Sequence, residues 1–296
     1  MAHEITRIGL AAKRGLTAAS TVLAELAGWL DARGIQVVFE ADTARLAGVP
    51  PGRPTASRES LPGECDLIVV LGGDGTLIGI ADLIVRTGTD VPILGVNFGS
   101  LGFLTEITLP ELYDALEAML DGSAEIESRA MLAAYTVRDN SPFAEQIVLN
   151  DIVITKGAMS RIIEIAVSVD QETVTRVRAD GLIVASPTGS TAYNLAAGGP
   201  IVHPAVDAML VTPIAPHTLT NRPIVIPGSS AVHLAPIMED DDEVFVTFDG
   251  QSGFPLRPGD RVSARRAPKS LRIVKSLQRT YFELLREKLK WGGDNR

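Results

Sequence analysis

One cysteine, Cys65, stands in 296 residues, so no internal disulfide can form, and no Cys/His spacing suits zinc. Aromatic residues are scarce at 5%, and no apolar stretch approaches the ~18 residues that a membrane-spanning helix requires. The opening MAHEITRIGL carries Glu4 and lacks the apolar core of a targeting signal. These absences lead us to expect a protein of the reducing cytoplasm with no membrane partner. An excess of basic charge is missing too: the formal net charge is −9 and the pI about 5.0. That excludes nucleic-acid binding through phosphate neutralisation. Small anionic substrates stay open, because a local cluster of arginines, backbone N–H groups or a metal overrides the global sign.

What is present is an ordinary globular composition, 46% hydrophobic and 21% charged, long enough for two domains. Through residue 122 the chain alternates strand and helix patterns. Strands are expected at 7–12, 35–39, 66–71 and 91–96, with helices at 17–33, 76–87 and 109–120. Residues 41–64, rich in Pro, Gly, Ser and Arg, read as a long surface excursion. The pattern implies a Rossmann-like α/β domain with a parallel sheet over 1–122. From 123 to 272 short β-branched runs predominate, at 132–137, 147–154, 161–169, 181–185, 223–226 and 243–248, with one short helical stretch near 191–197. This half is expected to be antiparallel and β-rich. Residues 273–296 form a tail whose stretch 278–291 is an amphipathic helix.

The chemistry concentrates first at VLGGDGTLIG, residues 70–79. Glycines directly after a strand admit a ligand close to the backbone, and ligands in parallel sheets bind beyond the carboxyl ends of strands. The turn lacks the Walker lysine, and its spacing does not match the dinucleotide fingerprint. Instead Asp74 lies between Gly73 and Gly75. A purely structural turn explains a lone Gly-Asp-Gly equally well. A kinase acting on an alcohol, however, needs a base to take the hydroxyl proton. Gly72, Gly73 and Thr76, with the helix start at Thr76, would then hold phosphates.

Four weaker signals follow. In Leu149-Asn150-Asp151 the amide and carboxylate suit adenine and ribose, although alone such a pair is more simply a turn. Residues 178–200 pack small polar groups around Ser190 and Thr191 at an expected helix start; capping explains Ser190, Gly198 and Gly199 but not the density of hydroxyls. His217 has no recognisable catalytic partner and reads as structural. Phe248-Asp-Gly-Gln reads as a hairpin turn, with Gln251 able to reach a ligand.

Together these stretches resemble the NAD kinase family. The resemblance rests on GGDGT at 72–76, NFGSLGFLTE at 97–106, LND at 149–151, DGLIVASPTGSTAYNLAAGGPIVHP at 180–204 and PHTLTNRPIVIP at 216–227. The 180–204 block is the specific part, since diacylglycerol and sphingosine kinases share a GGDGT-like turn and phosphofructokinases a related one. The resemblance implies an α/β domain and a β-rich domain with substrate between them. It also implies phosphorylation of the adenosine 2′-hydroxyl of NAD, Asp74 as proton acceptor, and Gly75 lining the same site. Asn150 and Asp151 would hold the adenosine. Arg161, Arg178, Asp180, the segment Thr191, Ala192, Tyr193, Asn194, Leu195 and Ala196, and Gln251 would complete the dinucleotide contacts. It further implies ATP or polyphosphate as donor, a divalent cation such as Mg²⁺ with no protein ligands assigned, and a cytoplasmic homo-oligomer, dimer or tetramer.

One departure stands out. The family commonly carries Arg or His shortly after GGDGT, whereas Leu77-Ile-Gly-Ile supplies no cation; Arg161 or Lys156 is the expected substitute. Two other readings compete: a lipid kinase, which would need an apolar or membrane-binding surface, and a dinucleotide-binding regulator without catalysis.

Overall fold

The computed structural model describes residues 5–99, 101–158, 161–218, 220–239 and 242–291. Ser100 of NFGSLGFLTE and Leu219 of PHTLTNRPIVIP lie outside them. The chain divides into two compact units, residues 1–128 with 271–296, and residues 129–270.

In the first unit the order is β1 (Arg7–Ala12), α1 (Ala19–Asp31), β2 (Gln36–Glu40), α2 (Ala41–Ala47), β3 (Thr55–Ala56), β4 (Leu67–Gly72), α3 (Asp74–Thr87), β5 (Ile93–Asn97), β6 (Ile107–Thr108), α4 (Leu112–Asp121) and β7 (Ile126–Arg129). β4 is buried along its whole length between β1 and β5, both parallel to it, which is why its sequence is an unbroken apolar run. Leu23, Leu26, Ala27 and Leu30 form the buried stripe of α1, and Leu112, Ala115, Leu116 and Met119 that of α4. Register decides what meets at the sheet's carboxyl edge: Ala12 lies opposite Leu71, and Gly72 opposite Asn97. The ends of β1, β4 and β5 therefore converge.

The stretch 41–64 is not a bare excursion. It opens with α2, because the Glu40 carboxylate caps it by accepting from the Thr43 N–H at 2.9 Å and Gly48 closes it at φ +62°. The expected helix at 76–87 begins two residues earlier, with Gly73 as its N-cap.

The second unit is a pair of antiparallel sheets. Its elements are β8 (Leu132–Arg138), β9 (Ser141–Val148), β10 (Asp151–Lys156), β11 (Ile163–Val169), β12 (Glu172–Ala179), β13 (Gly181–Ala185), α5 (Tyr193–Ala196), β14 (Ala208–Ile214), β15 (Ile224–Pro227), β16 (Val232–Ile237), β17 (Val244–Phe248), β18 (Ser252–Leu256) and β19 (Arg261–Arg266). One sheet runs β15-β14-β13-β10-β17-β18 and the other β12-β11-β16-β19-β8-β9. Alternate residues of both, among them Ile152, Ile154, Val184, Val246, Ile165 and Leu234, build one core. The expected single run 147–154 is two strands, broken at Leu149-Asn150. After this unit β20 (Leu271–Val274) pairs parallel with β5, and α6 (Tyr281–Leu289) follows, started by a capping box of Thr280 and Glu283. No helix among the described residues is long and apolar enough to cross a membrane.

Candidate active site

The glycine turn of the first unit sits where β4 ends. Gly73 has an extended backbone, and its carbonyl accepts from the N–H groups of Thr76 at 2.9 Å and Leu77 at 3.3 Å. The Thr76 N–H is thus engaged, contrary to the expectation that it opens the helix with a donor to spare. Asp74 occupies the first helical position and is half-buried.

The Asp74 carboxylate receives four hydrogen bonds, all from one segment. Oδ2 accepts from the Phe103 N–H at 2.8 Å; Oδ1 accepts from the N–H groups of Leu104 and Thr105 at 3.1 and 3.0 Å and from the Thr105 hydroxyl at 2.9 Å. Asn97 Nδ2 in turn donates to Thr105 Oγ1 at 3.0 Å, and Asn97 Oδ1 accepts from the Gly99 N–H. The backbone approaches so closely that a Cβ on Gly102 would lie 1.9 Å from Asp74 Oδ1. Residues 103–105 of NFGSLGFLTE, to which sequence reasoning gave no task, are the clamp that orients Asp74. A carboxylate offers about two acceptor directions per oxygen, so Oδ1 is filled and Oδ2 keeps one.

In the second unit Asn150 and Asp151 lie between two supports. The Asp249 carboxylate accepts from the N–H groups of Leu149, Asn150 and Asp151 at 2.8, 2.7 and 3.0 Å. Opposite, the Ser186 N–H donates to Asn150 O at 2.8 Å, the Ser186 hydroxyl donates to Leu149 O, and Ser186 Oγ accepts from the Gly189 N–H at 3.1 Å. Asp249 and Gly250, at φ +51° and +63°, make the expected hairpin turn between β17 and β18, and exposed Gln251 follows them. Sequence reasoning saw the turn and missed the anchoring role of Asp249. Only tertiary pairing with residues 149–151 reveals it.

Asp151 is 5% exposed, and among the described residues no donor reaches its carboxylate. Burial first, and the neighbouring Asp249 charge second, push its pKa up to about 7.

The 188–196 segment is a 3₁₀ turn, Thr188–Thr191, followed by the four-residue α5. Ser190 is not the expected cap: its hydroxyl donates to Val202 O and accepts from the Val202 N–H, both at 3.0 Å, tying the turn to the next loop. Asn194 is fully buried, donating to Ser190 O and Pro200 O at 3.0 and 3.1 Å and accepting from the Thr212 hydroxyl at 2.6 Å. Thr191, Ala192 and Leu195 are half-buried, while Tyr193 and Ala196 are exposed. Thr188 Oγ1 is buried with no partner among the described residues, a polar atom that the sequence did not single out.

Arg161, Arg178 and Asp180 are not brought to this end. β10 pairs with β13 from Asp151 opposite Ala185 to Thr155 opposite Gly181, so Asp180 adjoins Lys156 at the far end of the strand. Lys156 is five positions along the strand from Asp151, roughly 17 Å. Lys156 Nζ lies 3.7 Å from Asp180 Oδ1, and exposed Arg178 bonds through its carbonyl to the His217 N–H at 2.9 Å. Arg161 is exposed beside the start of β11. Among the described residues no group of three or more His, Cys, Asp or Glu is placed to hold a metal ion.

Residues 8–124 match the family model of the ATP-NAD kinase N-terminal domain, and residues 149–276 that of the ATP-NAD kinase C-terminal domain. An NAD kinase of Geobacter sulfurreducens is 50% identical over 271 residues, 92% of this chain and 93% of its own. One of Geotalea daltonii is 48% identical over 268 residues, 90% of this chain and 92% of its own. Among solved structures, yeast NADH kinase complexed with NADH superposes with a TM-score of 0.89 at 25% identity, covering 99% of this chain and 90% of that one. An NAD kinase from Archaeoglobus fulgidus in complex with ATP gives a TM-score of 0.75 at 24% identity, over 96% and 98% of the two chains, a likeness of fold.

Proposed function

The chain belongs to the NAD kinase family, and from that premise we propose how its own residues phosphorylate NAD to NADP with ATP as donor. The acceptor is the 2′-hydroxyl of the adenosine ribose. It donates its proton to Asp74 Oδ2 as its oxygen attacks the γ-phosphorus in line. A bond from that oxygen to phosphorus forms, the bond from phosphorus to the β–γ bridging oxygen breaks, and ADP leaves. The observation that carries this reading is the open acceptor direction on Oδ2, at the carboxyl end of a parallel strand, on a carboxylate whose other oxygen is fully committed. Held so, Asp74 need not reorient as the reaction proceeds, and such positioning supplies much of the acceleration in phosphoryl transfer.

Gly72, Gly73, Gly75 and Thr76 line the phosphate side of the turn in this reading. Asn150 and Asp151 receive the adenosine, with Thr191 to Ala196 and Gln251 beside it. Asn194 serves by holding the 190–200 segment in place, since its amide is committed within the protein. Arg161, Arg178 and Asp180, a strand's length from Asp151 in one protomer, belong to a more distant part of the dinucleotide. A divalent cation such as Mg²⁺ would neutralise charge on the transferred group. Such an ion would be carried by the donor's phosphates and water, the common arrangement for Mg²⁺, since among the described residues no group of three or more His, Cys, Asp or Glu is placed to cage it. We place the enzyme in the cytoplasm, as a dimer or tetramer.

The lipid-kinase reading finds no support, because both family models and the curated relatives are NAD kinases over nearly the whole chain. The test is formation of NADP from NAD, ATP and Mg²⁺, with Asp74→Asn beside the wild type. The substitution is expected to lower kcat by about two or more orders of magnitude while the NAD KM stays within about twofold. Retained turnover would remove Asp74 as the base.

A further inference from the structure

The clamp on Asp74 is restrained from three sides. Beneath it runs β5, where a Cβ on Gly95 would lie 3.2 Å from both Leu104 O and Thr105 Cγ2, so the glycine admits the segment against the strand. Upstream, the Asn97 side chain ties Thr105 and Gly99 to the end of β5. Downstream the chain enters β6, a strand of two residues that pairs with β5 through Val96 opposite Ile107 and Asn97 opposite Thr108. So short a ladder restrains the exit of the clamp weakly.

A stronger restraint on that exit comes from a side chain 173 positions along the chain. Arg279 lies between β20 and α6, and its Nη1 donates to Glu106 O at 3.2 Å and to Glu111 Oε1 and Oε2 at 2.8 and 2.9 Å. Glu106 and Glu111 are both buried. Glu111 Oε2 also accepts from the Thr108 N–H at 2.7 Å, within the capping box that opens the turn into α4. Burial opposes the charge on Glu111, but the Thr108 and Arg279 donors outweigh it and hold its carboxyl below the usual range. The pair is therefore ionised and its hydrogen bonds are charge-assisted. One guanidinium thus joins the residue that follows the clamp to the head of α4, whose apolar stripe is packed into the core of the first unit.

We propose that Arg279 is a positioning residue for the phosphoryl transfer: its bridge from Glu106 O to Glu111 fixes the exit of the clamp and, through it, the N–H groups that aim Asp74. The inference rests on the reading of Asp74 as the base and deepens it. Arg279 touches no reacting atom; it acts through residues 103–105. The segment after β20 is then part of the support of the catalytic carboxylate and not an appendage docked on the first unit.

The experiment compares wild type, Arg279→Gln, Arg279→Lys and Arg138→Gln. Arg138 is the control, an arginine of the second unit whose Nη2 lies 2.7 Å from Oδ2 of buried Asp260. Each protein is read by kcat and KM for NADP formation, by urea denaturation, and by hydrogen exchange of the Phe103, Leu104 and Thr105 amides. A reacting group displaced by about 1 Å loses on the order of 100-fold, so a shift of about half that in Asp74 corresponds to roughly tenfold. Arg279→Gln is expected to lower kcat about tenfold, to leave the NAD and ATP KM values within about twofold, and to speed exchange at 103–105 at least about fivefold. Arg279→Lys, which keeps a charged donor, should recover most of the kcat and of the protection. Arg138→Gln should lose stability too, yet keep kcat within about twofold. Unchanged kcat in a folded Arg279→Gln protein overturns the proposal, as does a loss without faster exchange at 103–105 or one matched by Arg138→Gln. If Arg279→Gln does not fold, Arg279→Lys decides: a kcat loss of about two- to threefold with faster exchange supports the bridge, and wild-type values for both overturn it. Retained turnover in Asp74→Asn overturns the base reading instead, and exchange at 103–105 still decides whether Arg279 holds the clamp.

Discussion

Asp74 and Asp151 present the same side chain at strand ends in the two units, in opposite surroundings. Four donors converge on the Asp74 carboxylate, while among the described residues none reaches that of Asp151. The first is half-buried and rigidly aimed by backbone N–H groups. The second is dry, faces another carboxylate across the strand, and changes charge near neutrality. On the proposed mechanism the contrast divides labour by environment: the group proposed to receive a proton at one atom is positioned, and the group proposed to recognise the substrate is left unsatisfied until the substrate arrives.

The largest effect should come from breaking the clamp without substituting either aspartate. Gly102→Ala would set a methyl group 1.9 Å from Asp74 Oδ1 and 2.4 Å from Thr105 Oγ1, so the 102–105 segment or Asp74 must move. A displacement of order 1 Å at a reacting group costs on the order of 100-fold in rate. We expect kcat to fall by about that factor with the NAD KM little changed, measured by steady-state NADP formation alongside circular dichroism. Full activity would mean that the four hydrogen bonds do not set the geometry of Asp74.

Asp151 should respond instead through binding and pH. Its pKa rises from the ordinary 3.8 to about 7 on folding, so the folded state holds a proton that the unfolded state has released. The stability this group contributes is therefore fully present below about pH 3.8 and is lost as pH rises through about 7. Asp151→Asn, which stays neutral, should abolish that part of the slope, and urea denaturation of the ligand-free protein from pH 5 to 8 checks it. Ribose hydroxyls donate to an ionised carboxylate. The wild-type NAD KM is thus expected to fall by up to roughly tenfold between pH 6 and 8, since a single group with pKa near 7 is about 10% ionised at pH 6. Asp151→Asn should show a flat, raised KM, and Asp151→Ala should raise the NAD KM far more than the donor KM. A parallel rise in both constants would place Asp151 outside adenosine recognition.

How much of this contrast was legible depended on whether its cause is local. The apolar run of β4, the glycines after it and the stripes of α1 and α4 write their structure in neighbouring residues, and the division into parallel and antiparallel halves follows from them. GGDGT and LND named the two aspartates. Their environments are tertiary. The Asp74 donors come from about 30 residues downstream and Asp249 lies 98 residues from Asp151, so no spacing rule finds them. The same pairing breaks the apparent strand 147–154, because Asp249 takes the N–H groups where a continuous ladder would need them. α2 was hidden because a seven-residue helix in a stretch rich in Pro, Gly and Arg leaves little period to detect.

The smallest effect separates two sources of the clamp's rigidity. In the first unit α6 lies against the same segment, with Lys288 Nζ 5.7 Å from the centre of the Phe103 ring. A cation–π contact between half-buried groups such as these contributes about 0.5–2 kcal/mol. The Asp74 donors, by contrast, are backbone groups fixed by the course of 102–105 between β5 and β6, with Arg279 bonded to Glu106 O at 3.2 Å close by. If the backbone course sets the clamp, Lys288→Ala should lower stability by no more than that contact and change kcat by less than about threefold, read from urea denaturation and turnover. A kcat loss matching that of Gly102→Ala would shift the origin of the clamp from the loop's own backbone to the helix packed on it. Asp74 would then be held by a side-chain contact at the end of the chain, and the contrast with Asp151 would narrow to two groups positioned by tertiary neighbours.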